Sequence, residues 1–210
     1  MGMKVFVGIP TRDRNHLLDK QFQALEDYPL VIHYLFNDTD EPNLFYFPSG
    51  AELSITYPNI PLQGAETKTY NIKHLANLWN VLLSLAKLHE ATHFMVLGSD
   101  VIPEENCIQL ILDAAHEYPD RVIGAVVPVN ADGLANYWEL DGKRGTTTTL
   151  GNREVSKFAG GLVLFPITSN LEFNDRNKSG EIVGATEHKK CFLISDARCK
   201  NIRPNGEIWQ

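Results

Sequence analysis

The side chains of this 210-residue chain with most chemistry to offer sit just after short apolar runs. Pro10-Thr11-Arg12-Asp13 follows the run Lys4 to Ile9. Asn37-Asp38-Thr39-Asp40 follows Leu30 to Phe36, and Gly98-Ser99-Asp100 follows His93 to Leu97. Short, continuous apolar runs predict strands buried on both faces, as in a parallel sheet. Parallel strands present their carboxyl ends on one rim, and open α/β sheets bind ligands there. The three polar turns therefore predict one cleft, reached by carboxylates from distant parts of the sequence. Within it Asp38 can accept hydrogen bonds from a base or ribose. Asp100 can hold a divalent cation against a diphosphate. Mg2+ or Mn2+ commonly takes one or two protein carboxylates and completes its shell with water and phosphate oxygens.

Other chemistries are poorly served. Neither GxGxxG nor GxxxxGK[ST] occurs, which argues against a dehydrogenase or a P-loop enzyme. His74, His89, His93 and His116 form no zinc-like cluster. The net charge of −7 disfavours a phosphate backbone as partner. The basic stretch formed by Lys143, Arg144, Arg153 and Lys157 is the local exception. Cys107, Cys191 and Cys199 are odd in number and lack a CxxC, so buried, reduced thiols and a cytoplasmic setting are expected. No apolar run approaches a membrane span, and Phe6 stands where a myristoylation signal needs Ser or Thr.

The positioning elements follow from periodicity. A helix capped by Asp13 or Asn15 carries Leu17, Leu18, Phe22 and Leu25. Residues 41–66 contain four prolines and read as irregular, with a short strand at Leu53 to Tyr57. Ile72 to Leu88 is the strongest helix signal. Pro103 is expected to open a further helix that ends at Tyr118-Pro119, before a strand at Arg121 to Val127. Beyond residue 128, Leu134 to Leu140 and Lys157 to Phe165 read as strands. Thr146 to Thr149 reads as an extended or mobile loop, and Glu187 to Lys200 as a helix. The alternation predicts a single-domain, mainly parallel mixed α/β sheet flanked by helices. Its nucleotide-binding half would be residues 1–128 and its acceptor-side half residues 129–210.

The ordered segments resemble the GT-A glycosyltransferases, in particular the family-2-like group, across most of the chain. VFVGIPTRDR at residues 5–14 is similar to that group's opening strand, and FNDTD at 36–40 to the turn whose Asp holds the donor nucleotide. FMVLGSDVIPEE at 94–105 resembles the strand that delivers the Asp-x-Asp metal motif. FAGGLVLF at 158–165 resembles the acceptor-side Gly-Gly strand, and residues 185–204 the segment carrying the catalytic base. In this chain Gly98 replaces the metal motif's first Asp, His188 follows Glu187 where the family has Glu-Asp, and a late His ligand is lacking. A family Arg-Asn pair has become Trp79-Asn80.

The resemblance implies transfer of a sugar from a nucleoside-diphosphate sugar, uridine-based, with Mn2+ or Mg2+ at Asp100. Pro10, Thr11, Arg12, Asp38, Ser99 and Asp100 would contact the donor. Lys73 would stand in for the lost positive charge. Gly160 and Gly161 would line the acceptor side, where Trp138 could stack on substrate. Glu187 would be the catalytic base, with Asp175 and Asp196 as reserves. Trp79, at helical spacing, reads as core. The acceptor is open among a protein, a glycan and a hydroxylated nucleic-acid base, with no membrane span expected. Two alternatives stand beside this: a sugar nucleotidyltransferase, and a nucleotide-sugar-binding module of the same fold that lost catalysis.

Overall fold

The computed structural model of the chain describes residues 2–11, 15–36, 51–54, 72–168, 170–174, 190–203 and 206–210. The elements in chain order are β1 (Val5–Thr11), α1 (Asn15–Gln23), β2 (Leu30–Phe36), β3 (Ala51–Ser54), α2 (Ile72–Leu88), β4 (His93–Leu97), β5 (Val101–Pro103), α3 (Cys107–Glu117) and β6 (Val122–Val126). Then come β7 (Leu134–Trp138), β8 (Arg144–Thr146), β9 (Arg153–Val155), β10 (Lys157–Phe158), β11 (Leu162–Pro166), β12 (Cys191–Ile202) and β13 (Ile208–Trp209).

The main sheet runs in the order β13-β12-β6-β11-β4-β1-β2-β3. β3, β2, β1 and β4 pair in parallel, as do β6 and β12. Only β11 breaks that direction between β4 and β6, running antiparallel to both. Period-2 alternation sends Val5, Val7 and Ile9 to one face of β1, where Leu18 and Phe22 of α1 and Ile108 and Ile111 of α3 pack. Phe6 points the other way, against Leu82 and Trp79 of α2. α2 comes close because Gly8 lacks a side chain: a Cβ there would lie 2.9 Å from the Phe94 ring and 3.1 Å from Leu82 Cδ1. Trp79 is core, as its spacing implied, with its ring 6.1 Å from that of Phe173. Its neighbour Asn80 exchanges two hydrogen bonds with the Phe173 backbone, at 2.8 and 2.9 Å.

Three expectations are corrected. Residues 191–200 form β12, not a helix. Cys191, Leu193, Ser195, Ala197, Cys199 and Asn201 are all buried, a period-2 pattern, and β6 offers the backbone partners. Pro103 closes β5 instead of opening a helix, because Val101–Pro103 pairs antiparallel with β12; the helix begins at Cys107. Lys157 to Phe165 is two strands, broken at Ala159-Gly160-Gly161. β10 joins a separate small sheet, β10-β7-β8, while β11 enters the main one. The threonine stretch is tied down: Arg198 donates to the carbonyls of Thr147 at 2.7 Å and Thr149 at 3.3 Å. Cys107, Cys191 and Cys199 are buried and form no disulfide, and burial pushes the Cys199 thiol well above its ordinary range.

Candidate functional site

The registers decide what meets on the carboxyl rim. Thr11 aligns with Phe36, so β1 and β2 end side by side. β4 runs parallel to β1 and delivers Gly98-Ser99-Asp100 to the same end of the sheet. β11 is antiparallel to β4, with Leu162 opposite Leu97, so its beginning lies there too. Gly160 and Gly161 are thereby set beside Gly98.

This junction is held by backbone and amide groups. Gly98 N donates to Gly161 O at 2.8 Å, Val101 N to Gly98 O at 3.1 Å, and Ile202 N to Asp100 O at 2.8 Å. Gln21 Nε2 donates to both Gly98 O and Val101 O, each at 2.8 Å. On the other side Asn136 Nδ2 donates to Gly160 O at 2.6 Å, and Asn136 Oδ1 accepts from Val127 N at 3.0 Å. Gly160 and Gly161 have φ of +115° and +96°, values open to glycine and strained for other residues. A Cβ on Gly161 would meet Val127 Cγ2 at 2.7 Å.

The replacement at position 98 has a local consequence. A Cβ there would sit 3.0 Å from Asp100 Oδ1 and 3.2 Å from Val101 Cγ2. The Asp100 carboxylate therefore lies back over its own turn, in space that a side chain at 98 would crowd. Among the described residues no group of three or more His, Cys, Asp or Glu could cage a metal ion. A half-buried Asp100 suits a hard cation that draws its remaining oxygens from a diphosphate and water.

Pro10, Ser99 and Asp100 are half-buried at the rim, and Thr11 is 1% exposed. The Thr11 hydroxyl has no hydrogen-bond partner among the described residues. Lys73 lies in the first turn of α2. Arg12, Asp38, Asp175 and Glu187 lie outside the described residues, whereas Asp196 is exposed at the irregularity of β12 between Ile194 and Arg198.

Trp138 belongs to the small sheet. Lys157 opposes it on one neighbouring strand and Arg144 on the other. Cross-strand partners share a face, so the two cations flank the indole: Arg144 Cζ lies 3.9 Å and Lys157 Nζ 4.8 Å from the ring centroid. Arg144 is half-buried, and desolvation lowers its pKa below the usual guanidinium value. The other members of the basic stretch face carboxylates, Lys143 on Asp141 at 2.7 Å and Arg153 on Glu139 at 3.4 Å.

Gln21 and Asn136 are the residues that the sequence reading missed. Gln21 carried a signal, because it falls on the apolar face of α1 with Leu17, Leu18 and Phe22, where a polar residue must have a buried partner. Asn136 lay between Ala135 and Tyr137 with no such periodic mark.

No protein-family model matches the chain, and no curated protein matches it. Solved structures do. Residues 1–349 of Staphylococcus aureus TarS in complex with UDP-GlcNAc align with a TM-score of 0.61 and 15% identity, covering 94% of this chain and 57% of that one. GalNAc-T7 with UDP, GalNAc and Mn2+ aligns with a TM-score of 0.62 and 11% identity, covering 94% and 42%. The chain thus spans less than two thirds of the length of either. Both are GT-A-type glycosyltransferases. The chain has the GT-A fold, a mixed α/β sheet, mainly parallel and flanked by helices.

Proposed function

We propose that the chain is a glycosyltransferase that moves a sugar from a nucleoside-diphosphate sugar, a UDP-sugar, to an acceptor hydroxyl with a divalent cation's help. The observation that carries this reading is the meeting of the Asp100 turn, the end of β1 and the paired glycines on one rim of a GT-A fold. Neighbours of that fold were solved with UDP-GlcNAc and with UDP, GalNAc and Mn2+, which supports the donor class.

In this reading the whole chain acts as one unit. Pro10, Thr11, Arg12 and Asp38 bind the nucleotide, and the buried, unpartnered Thr11 hydroxyl supplies a hydrogen-bonding group for it. Asp100, with Ser99, holds Mn2+ or Mg2+ against the diphosphate, and Lys73 adds positive charge. When bound, the cation supplies Lewis-acid stabilisation of the departing diphosphate. Gly160 and Gly161 bring backbone alone to the sugar's side of the rim, their positive φ values shaping the turn that meets Gly98. Glu187 takes the acceptor hydroxyl's proton as that oxygen bonds to the sugar's anomeric carbon and the bond to the diphosphate breaks. Trp138 offers the acceptor what Arg144 and Lys157 leave of its ring, framed by positive charge.

A second reading, a nucleotide-sugar-binding module without turnover, draws on Gly98 in place of a motif acid. Thermal shift with UDP-GlcNAc, UDP-GalNAc and UDP-glucose, with and without Mn2+, tests binding, since a ligand of the folded state raises its stability. UDP release from the same donors tests turnover. Stabilisation with release supports the transferase, stabilisation alone the module, and neither refutes both.

Among the described residues no helix is long and apolar enough to cross a membrane.

A further inference from the structure

We propose that Gln21 is a positioning residue for the cation-binding turn and sets where the Asp100 carboxylate stands, an inference that rests on the glycosyltransferase reading. Gln21 lies on α1, is 0% exposed, and occupies the apolar face of that helix. Leucine or methionine would pack there without burying an amide. Instead the side chain reaches across to the loop after β4 and donates to two carbonyls, Gly98 O and Val101 O. Both partners are acceptors only, so the group facing them is the NH2. Its Oε1 is buried and has no hydrogen-bond partner among the described residues. The residue therefore bears an unsatisfied acceptor while both amide protons serve the turn.

Those two carbonyls bracket Ser99 and Asp100. The turn also closes on itself through Val101 N to Gly98 O and is fixed at Asp100 O by Ile202 N. Gln21 thus ties the start and end of the acid-bearing turn to one rigid point on a helix. Among the described residues no second carboxylate stands beside Asp100 to cage an ion, so cation affinity depends on where that turn is held. Groups that orient a metal ligand commonly govern 10- to 100-fold of affinity, by order of magnitude.

The test uses Gln21→Met, which keeps length and volume but removes both donors, alongside Asp100→Asn and the double variant. Amide hydrogen exchange of ligand-free protein reads the clamp alone. The Val101 amide should lose protection in Gln21→Met while the strands of the main sheet keep theirs. Titration of UDP binding with Mn2+ reads the function. The Mn2+ concentration for half-maximal UDP binding should rise about tenfold in Gln21→Met. In the Asp100→Asn background the same change should add nothing. A merely structural role would lower stability without this dependence on Asp100.

Unchanged protection at Val101 overturns the proposal. So does altered protection with an unchanged Mn2+ requirement. If Gln21→Met does not fold, Gln21→Leu is read by the same two measurements, and its matching wild type in either overturns the proposal. Wild type that ignores UDP at every Mn2+ concentration overturns the glycosyltransferase reading and this inference with it. Wild type that binds UDP, with Gln21→Met equal to it, overturns the Gln21 proposal alone.

Discussion

The amide of Gly98 donates to the carbonyl of Gly161 across 2.8 Å. One bond thereby joins the turn that carries Asp100 to the glycine pair where the chain passes from the small sheet into the main one. The two segments are distant in sequence, and the antiparallel direction of β11 brings them together: a parallel strand would have carried Gly160 and Gly161 to the far edge.

Asp100→Asn should remove the cation dependence of UDP-sugar turnover while the protein stays folded. Without the carboxylate the cation is lost, and with it the positive charge that stabilises the departing diphosphate, so kcat falls by about 100-fold or more. UDP release measured across a Mn2+ series, with circular dichroism as the control, checks this. Wild-type turnover in the variant would take Asp100 out of the mechanism.

Gly161→Ala should destabilise the fold by about 2–4 kcal/mol, the sum of a strained positive φ and overpacking. Its Cβ would drive into Val127 Cγ2 at 2.7 Å. Gly142 is the matched control, since its φ is +83° but nothing lies within 4 Å of a Cβ there. Gly142→Ala should lose only about 1 kcal/mol, the backbone penalty by itself. Denaturant unfolding of the two variants separates the contributions, and equal losses would mean that the contact with Val127 is unimportant.

Trp138→Ala should lower transfer to an added acceptor more than it lowers donor hydrolysis, because the ring lies on the small sheet and not in the Asp100 turn. Arg144→Met should cost stability of about 1 kcal/mol through the lost stacking contact. Parallel assays of hydrolysis and transfer decide the first point, and equal losses in both would assign Trp138 to structure.

The first half of the fold was legible in the sequence because its strands are continuous apolar runs. β2, α2 and β4 have the expected bounds. The later half misled for identifiable reasons. Residues 191–200 carry charges at Asp196, Arg198 and Lys200 that suit a helix surface, and the open edge of β6 draws them into a strand instead. The paired glycines were visible as a motif, but not as a break between sheets, since the sequence does not reveal that Phe158 and Leu162 belong to different ones. Gln21 was readable only as a polar interruption of an apolar face. Its partners lie 77 and 80 residues away.

His93 gives the fold an acid limit at the end of β4 remote from the rim. Burial lowers its pKa from the ordinary imidazole value, helped by the charge of His116 and opposed by a hydrogen bond with the Pro119 backbone. Thr92 Oγ1 lies 3.0 Å from Nδ1. The unfolded chain thus takes up a proton near pH 6.5, about the free imidazole value, while the folded chain resists it. Stability should be complete above that pH and fall as the pH drops toward the lower, folded-state pKa. Thermal unfolding from pH 7.5 down to 5 checks the trend, and His93→Gln should flatten it. An unchanged slope in that variant would assign the acid limit to other groups.

The proposed transfer requires that the rim joining Asp100 to the paired glycines grip a nucleoside diphosphate through a cation. A crystal of the complex with UDP and Mn2+, with the ion located by its anomalous scattering, tests it directly. The expected result is Mn2+ signal on the Asp100 carboxylate, with diphosphate oxygens completing its shell and the base near the ends of β1 and β2. A nucleotide bound away from that rim, or an ion held by other residues with Asp100 untouched, would contradict it.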